Sequence, residues 1–173
     1  MDKQPHPTQG IGKVMTTVAW LLALGLLAWI FAGFEARENN PNQSISTQQL
    51  KDGGRVITLQ RNRSGHYVAD GFINGERVTF LLDTGASDIS IPGDLAEKLG
   101  LQRGPRQQYN TANGVITGYL TRLDSVRLGE IELHDVRASI NPREQGEALL
   151  LGMSFLRHLE FSQHGDTLTI RQY

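Results

Sequence analysis

The sequence predicts an all-β domain with one or two short helices, preceded by a single transmembrane helix. Residues 14–34 contain no charged side chain, although the 173-residue chain as a whole has a mean hydropathy of −0.31. From residue 51 onward, short runs of β-branched and aromatic residues alternate with Gly, Asn and Pro turn signals, as in all-β domains. The chain therefore divides into an apolar N-terminal segment and a β-rich C-terminal domain.

The apolar segment is long enough to cross a membrane. A helix rises about 1.5 Å per residue, so residues 14–34 match a hydrocarbon core of roughly 30 Å. A cleaved signal peptide is the alternative, but the run is long for such a peptide. In addition, no convincing small-residue cleavage site follows Ala32-Gly33-Phe34. We therefore interpret residues 14–34 as an uncleaved anchor.

Basic residues around the anchor predict its orientation. Lys3, Lys13 and the α-amine precede the anchor, and Arg37 is the only basic residue within a dozen positions after it. The positive-inside rule then places residues 1–13 in the cytoplasm and the C-terminal domain in the periplasm of a bacterial inner membrane. The net charge of −1 does not indicate a nucleic-acid partner, and the absence of cysteine excludes disulfides and thiol proteases.

The region after the anchor is predicted to be a flexible linker, residues 35–50, followed by a folded domain, residues 51–173. The linker is rich in Asn, Gln and Ser and has no apolar periodicity. Strands are predicted at residues 55–60, 66–73, 76–82, 88–91, 109–112, 115–118, 119–128, 131–140 and 167–171, and short helices at 93–99 and 153–158. The pairs Asn74-Gly75 and Asn113-Gly114 predict two tight β-hairpins.

Asp83 is the candidate for chemistry. It directly follows an apolar run that should be a buried strand, where a carboxylate is costly. Gly85, two residues later, allows a sharp backbone turn, so the carboxylate is presented at a strand end with backbone amides nearby. An ordinary Asp-x-Gly turn has the same local pattern, so the tripeptide alone does not identify a catalytic group.

A longer stretch around Asp83, residues 80–92 (FLLDTGASDISIP), closely resembles the active-site signature of aspartic proteases, above all the retropepsin-like branch. Residues 109–118 (YNTANGVITG) stand where that family has its flap, a mobile β-hairpin over the substrate. Residues 148–156 (ALLLGMSFL) resemble its second apolar-apolar-Gly element. The resemblance covers about residues 55–173 and implies a retropepsin-like closed β-barrel.

The resemblance also implies roles for individual residues, with no cofactor and no metal. Asp83 is the catalytic carboxylate on an active-site loop, the flap binds substrate, and the second apolar-Gly element walls the cleft or packs the core. The loop residues are Thr84, Gly85 and Ala86; the flap residues are Thr111, Ala112, Asn113 and Gly114; the second element supplies Leu150, Leu151 and Gly152. Two positions depart from the viral pattern: Ser87 and Met153 replace an acidic and a basic residue that pair in the viral enzymes.

The chain contains a single Asp-Thr-Gly, whereas aspartic protease chemistry requires two carboxylates. The resemblance therefore implies a homodimer that pairs Asp83 with its symmetry mate and cleaves protein or peptide substrates. Residues 167–171 are expected to join an intersubunit sheet. The alternative is a catalytically silent, membrane-tethered binding or assembly module with a protease-like fold.

Other polar residues are weaker candidates. His66, His134, His158 and His164 show no metal-ligand spacing. A glycosidase that uses Asp83 with a second carboxylate is not positively indicated. Two further aspartates, Asp70 and Asp88, are interpreted as surface or turn residues.

Overall fold

The computed structural model describes residues 8–111, 114–146 and 148–173. Three helices and eleven strands occur within these ranges. The helices are α1 (Thr8–Asn39), α2 (Gly93–Lys98) and α3 (Met153–Leu156). The strands are β1 (Thr47–Gln49), β2 (Arg55–Gln60), β3 (Val68–Ile73), β4 (Glu76–Leu82), β5 (Ile89–Pro92), β6 (Arg106–Thr111), β7 (Gly114–Leu128), β8 (Ile131–Asn141), β9 (Ala148–Leu151), β10 (Glu160–His164) and β11 (Thr167–Gln172). The chain divides into two compact units, Met1–Glu38 and Asn39–Tyr173.

Helix α1 contains the segment that was predicted to cross a membrane. Its residues Gly12–Asn39 are long and apolar enough for a membrane span, with a mean hydropathy of 2.1. Large side chains such as Trp20, Leu22 and Trp29 are exposed. A helix that is apolar on all sides is stable only where lipid or protein covers it. By length and composition, α1 therefore meets the requirements of a membrane span.

The structure differs from the predicted linker in residues 35–50. Residues 35–39 continue helix α1, and β1 pairs antiparallel with β2. Asn42 is buried; its side-chain amide donates to the carbonyls of Gln60 and Val68 at 2.9 and 2.7 Å, and its Oδ1 accepts from the Gln60 N–H at 2.7 Å. One side chain thus satisfies backbone groups of both β2 and β3. The folded unit begins ahead of the predicted start at Lys51 for this reason.

Six strands form a closed barrel. The larger sheet has the order β3-β4-β9-β5-β8-β7-β6, and β3 also pairs with β7 through Phe72–Arg127 and Ile73–Val126. This extra pairing closes the ring, from which β6 extends as the outer strand of a hairpin with β7. Strands β9 and β5 lie next to each other and run parallel to β4 and β8, respectively. The all-β fold class and the closed barrel predicted from the sequence are confirmed.

One hydrophobic core joins the two sheets and both short helices. The core-facing positions follow the two-residue period of the strands, as in β3, where half-buried and buried residues alternate. Phe80, Ile91 and Leu149 from the barrel are fully buried, as are Ile170 from β11 and Phe155 from α3. Burial of a large apolar side chain stabilises the fold by roughly 1.5–3 kcal/mol, so these strands hold the loops at the barrel edge on a rigid base.

The smaller sheet has the order β1-β2-β11-β10 and is antiparallel. Strand β11 pairs with β2 on one side and with β10 on the other. Both backbone edges of β11 are occupied within one subunit, so β11 does not offer an edge for direct pairing with a second subunit. The place of residues 167–171 in an intersubunit sheet stays a prediction. The outer edges of this sheet are those of β1 and β10.

Candidate active site

Asp83 lies where a buried strand of the barrel ends, beside a second strand that ends in a glycine turn. Strands β4 and β9 run parallel and bring Leu82 opposite Leu151. Asp83 follows β4 and Gly152 follows β9, so both turns leave the sheet at the same edge. The backbone N–H of Asp83 also donates to the Leu151 carbonyl at 3.2 Å. The segment that leads to Asp83 and the segment that leads to Gly152 are thus two adjacent parallel strands.

The active-site turn fixes the Asp83 carboxylate and leaves it accessible. The Gly85 N–H donates to Asp83 Oδ1 at 2.8 Å, and the Ala86 N–H donates to the Asp83 carbonyl at 3.2 Å. Asp83 is half-buried. A Cβ atom at Gly85 would lie 3.1 Å from Asp83 Oδ1, so a side chain there would displace the carboxylate. Thr84 is exposed, and its hydroxyl makes no hydrogen bond with the described residues of the chain.

Hydrogen bonds from the start of α3 fix the segment that follows Asp83. The N–H groups of Met153 and Ser154 donate to the carbonyls of Ala86 and Ser87 at 2.8 and 2.9 Å. The buried Ser154 hydroxyl accepts from the Ile89 N–H at 3.0 Å. These three bonds connect the segment after β9 to the segment after Asp83. The geometry of the carboxylate is therefore set by a second part of the chain as well as by its own turn.

The predicted flap is a β-hairpin made of β6 and the first part of β7. Its strands pair from Arg106–Tyr119 to Thr111–Gly114. Gly114 is exposed, and the predicted tip residues Ala112 and Asn113 lie outside the described residues. The role of Thr111–Gly114 in substrate binding stays a prediction.

Asp88 connects the active-site segment to this hairpin, and its interpretation as a surface or turn residue is wrong. Its side chain is only 7% exposed. Asp88 Oδ2 accepts a hydrogen bond from the Tyr109 hydroxyl on β6 at 3.0 Å and one from Arg137 Nε on β8 at 3.2 Å. Burial raises the pKa of the Tyr109 hydroxyl above its usual value, and the hydrogen bond to Asp88 raises it further, so Tyr109 remains a donor at neutral pH. No local sequence pattern links these three residues.

Asp70 was also assigned to the surface, and the structure places it in a polar cluster on β3. Its side chain is 14% exposed and forms an ion pair with Arg77 at 2.7 Å. It also accepts hydrogen bonds from Thr79 and Asn40 at 2.9 and 2.7 Å. These contacts use both carboxylate oxygens, so Asp70 has a structural role.

The second apolar-Gly element divides between surface and core. Leu151 is fully buried in the hydrophobic core, so of its two predicted roles it has the packing role. Leu150 is half-buried, and its place in a cleft wall stays a prediction. Among the described residues, no three His, Asp or Glu side chains are grouped as metal ligands.

Comparison with known proteins agrees with this geometry. Residues 69–158 match the family described as gag-polyprotein putative aspartyl protease. A retropepsin-like aspartic protease from Rickettsia conorii has a similar structure, with a TM-score of 0.59 and 31% identity. The alignment covers 75% of this chain and 96% of that one. The chain belongs to the retropepsin-like aspartic protease family.

Two uncharacterised proteins are further relatives of this retropepsin-like chain. One, from Sinorhizobium, is 32% identical over 124 residues, which cover 69% of this chain and 53% of the relative. The other, from Rickettsia prowazekii, is 30% identical over 120 residues, which cover 68% of this chain and 51% of the relative. The chain thus spans about half the length of the curated relatives that it matches.

The structure explains how the fold tolerates Ser87 and Met153 in place of the viral charge pair. Ser87 is exposed, and Met153 is half-buried against the hydrophobic core. The backbone bond from Ser154 N–H to the Ser87 carbonyl connects the two segments without a charge pair. Because both charged partners are absent, no buried charge is left unpaired.

Proposed function

We propose that the chain is a membrane-anchored aspartic endopeptidase, which hydrolyses peptide bonds with Asp83 and Asp83 of the partner subunit. The proposal depends chiefly on the half-exposed Asp83 carboxylate, whose Oδ1 is held 2.8 Å from the Gly85 N–H. The carboxylate lies where β4 leaves the barrel, and the hydrogen bond from Tyr109 to Asp88 connects the segment after Asp83 to the β6–β7 hairpin, which corresponds in sequence to the flap of the family. A carboxylate that is both oriented and accessible meets the geometric requirement for a general base.

The chemistry requires two such carboxylates that share one proton around a water molecule. One carboxylate removes a proton from the water molecule while the water oxygen attacks the scissile carbonyl carbon. The other donates a proton to the carbonyl oxygen, and the leaving nitrogen is protonated as the C–N bond breaks. This chain has one Asp-Thr-Gly, so a second copy has to supply the other carboxylate. A two-fold symmetric homodimer provides it with the same surface of each subunit.

The structure of one subunit is compatible with such a dimer. The Thr84 hydroxyl has no hydrogen-bond partner among the described residues of its own subunit, so it is available to a second active-site turn. Strand β11 has no free edge, so any intersubunit pairing in the smaller sheet uses β1 or β10. Attachment to a membrane raises the local concentration of subunits and so favours the dimer.

We also propose that α1 anchors the protein in a bacterial inner membrane with the β domain in the periplasm. The exposed apolar surface of α1 and the excess of basic residues before residue 14 support this orientation. A C-terminal fusion to a phosphatase that folds only in an oxidising compartment should be active. A C-terminal reporter that works only in the cytoplasm should be silent, and the opposite pair of results would contradict the proposed orientation.

The proposed activity is tested with full-length protein in detergent and a diverse peptide mixture, read by mass spectrometry across acidic and neutral pH. We expect cleavage that a statine-type peptide blocks, because such a transition-state mimic binds a working carboxylate pair far more tightly than substrate does. Cleavage that the statine peptide does not inhibit would point to a contaminating protease. Absence of both cleavage and statine binding in a folded, dimeric sample would favour the binding-module alternative.

A further inference from the structure

The hydrogen bond between Asp88 and Tyr109 joins two parts of the chain, the segment that follows Asp83 and the β6–β7 hairpin. Asp88 belongs to the first part, which is bonded to the start of α3. Its backbone lies against Gly152, and the next residue, Ile89, donates its N–H to the buried Ser154 hydroxyl at 3.0 Å. Ile89 is fully buried and opens the barrel strand β5. The Asp88 carboxylate is therefore a fixed acceptor five residues beyond Asp83.

Tyr109 belongs to the hairpin. Among the described strands, β6 pairs with β7 alone and forms the outer edge of the larger sheet, so strand pairing holds it on one side. Gly118, on the facing strand, leaves space for the Tyr109 ring, because a Cβ atom at Gly118 would lie 3.2 Å from the ring carbon Cε2. The ring thus crosses the hairpin and carries its hydroxyl to Asp88 Oδ2 at 3.0 Å.

Arg137 completes the contact from β8. Its Nε donates to the same Asp88 oxygen at 3.2 Å, and its Nη2 donates to Gln107 Oε1, also on β6, at 3.4 Å. The Arg137 side chain is 48% exposed, whereas that of Asp88 is 7% exposed. The carboxylate is thus neutralised by a guanidinium that itself contacts the hairpin. Two side chains of β6 are therefore held by one ion pair, in which Asp88 is buried and Arg137 is half exposed.

We propose that Tyr109 is a positioning residue, which holds the β6–β7 hairpin against the active-site segment through Asp88 and so sets the affinity for peptide substrate. This inference rests on the proposed function. A hairpin that leaves its closed position lowers the fraction of protein that is ready to bind, and the apparent dissociation constant rises in inverse proportion to that fraction. Once substrate is bound, its own contacts hold the hairpin, so the chemical step is little affected.

The test compares Tyr109→Phe with Tyr119→Phe in the full-length protein. Each substitution removes one hydroxyl from the same hairpin. The Tyr119 ring contacts the guanidinium groups of Arg103 and Arg106 at 5.6 and 5.9 Å, and phenylalanine preserves these contacts. For Tyr109→Phe we expect faster amide hydrogen exchange in β6 and the facing part of β7, and a KM raised about tenfold with kcat within about twofold. Tyr119→Phe should change neither quantity.

Amide hydrogen exchange tests the contact of Tyr109 with Asp88, and the kinetic constants test the link to the proposed function, so the two can fail independently. Unchanged exchange in Tyr109→Phe would overturn the inference whatever the kinetics. Faster exchange with an unchanged KM, or a loss confined to kcat, would overturn the link to substrate affinity. If the wild-type protein cleaves no peptide, the proposed function fails together with that link, while the exchange data still decide whether Tyr109 holds the hairpin.

Discussion

Asp83→Asn should abolish peptide cleavage, with a loss of about 10³-fold or more, and leave the fold intact. The amide cannot accept a proton from water, so a dyad with this substitution has lost its general base. Asparagine keeps an oxygen at the position of Asp83 Oδ1, so the bond from the Gly85 N–H is preserved. Mass-spectrometric cleavage assays measure the first effect, and thermal unfolding followed by circular dichroism measures the second.

Asp166→Asn is the matched control for this substitution. Asp166 is exposed on the turn between β10 and β11 and forms an ion pair with Arg61 at 3.4 Å. Exposed ion pairs contribute about 0–1 kcal/mol, so we expect the control to retain both activity and stability. Undiminished cleavage by a clean preparation of Asp83→Asn would remove Asp83 from the mechanism.

Mixing the variant with wild-type protein distinguishes a shared site from a site within one subunit. If each active site needs Asp83 from two subunits, a wild-type subunit paired with a variant is inactive. With a threefold excess of variant and random exchange of subunits, activity per wild-type subunit should fall to about one quarter. Unchanged activity per wild-type subunit would contradict the shared dyad even if Asp83 itself proved catalytic.

The sequence predicted those parts of the fold that depend on local patterns. Strands β2 and β4 occupy the predicted residues 55–60 and 76–82, because alternation along the strand and the Asn74-Gly75 turn determine both. The turn residues have φ angles of 51° and 87°, as a tight hairpin of this type requires. Strand β10 was missed because all five of its residues are exposed, which leaves no apolar alternation to detect.

The missed site residues depend on contacts that are distant in sequence. Asp88 and Arg137 are 49 positions apart, and Asp88 and Tyr109 are 21 apart. Each lies in a segment that reads locally as an ordinary strand. The parallel pairing of β5 with β8 brings Arg137 to this segment, and the pairing of β7 with both β8 and β6 brings Tyr109 there. Asn42 illustrates the same limit in the predicted linker, since its polar surroundings gave no sign that its amide would be buried against β2 and β3.

Of the substitutions considered, Gly152→Ala should lower the free energy of unfolding the most, by about 4 kcal/mol or more. A Cβ atom at this position would lie 2.3 Å from the Asp88 carbonyl oxygen and 2.6 Å from that of Ala86. Both neighbours are backbone atoms, so no side-chain rotation relieves the overlap. The start of α3 would have to move away, which breaks the bond from Met153 N–H to the Ala86 carbonyl. We expect a Tm at least about 10 °C lower in thermal unfolding.

Gly65→Ala separates this overlap from the general cost of replacing glycine. Gly65 has a φ of 85° and no atom within 4 Å of an added Cβ, so alanine there costs only the left-handed backbone conformation, about 1–2 kcal/mol. A fall in Tm for Gly152→Ala no larger than that for Gly65→Ala would show that the α3 segment moves freely away from the active-site turn. It would also contradict the rigid attachment of Asp88 on which the hairpin contact depends.

Asp83→Asn and Gly152→Ala should have different effects because one replaces the reacting group and the other disturbs the backbone that holds it. The carboxylate of Asp83 is half-buried, and an amide can accept the same hydrogen bond from the Gly85 N–H, so we expect the fold not to depend on its charge. Gly152 lies where α3 begins, in contact with the backbone on both sides of Ser87, so the orientation of that carboxylate depends on it. Asp83→Asn should therefore remove activity from a folded protein, whereas Gly152→Ala should remove activity through loss of the fold. This contrast would tie the second apolar-Gly element to the active site by packing rather than by chemistry.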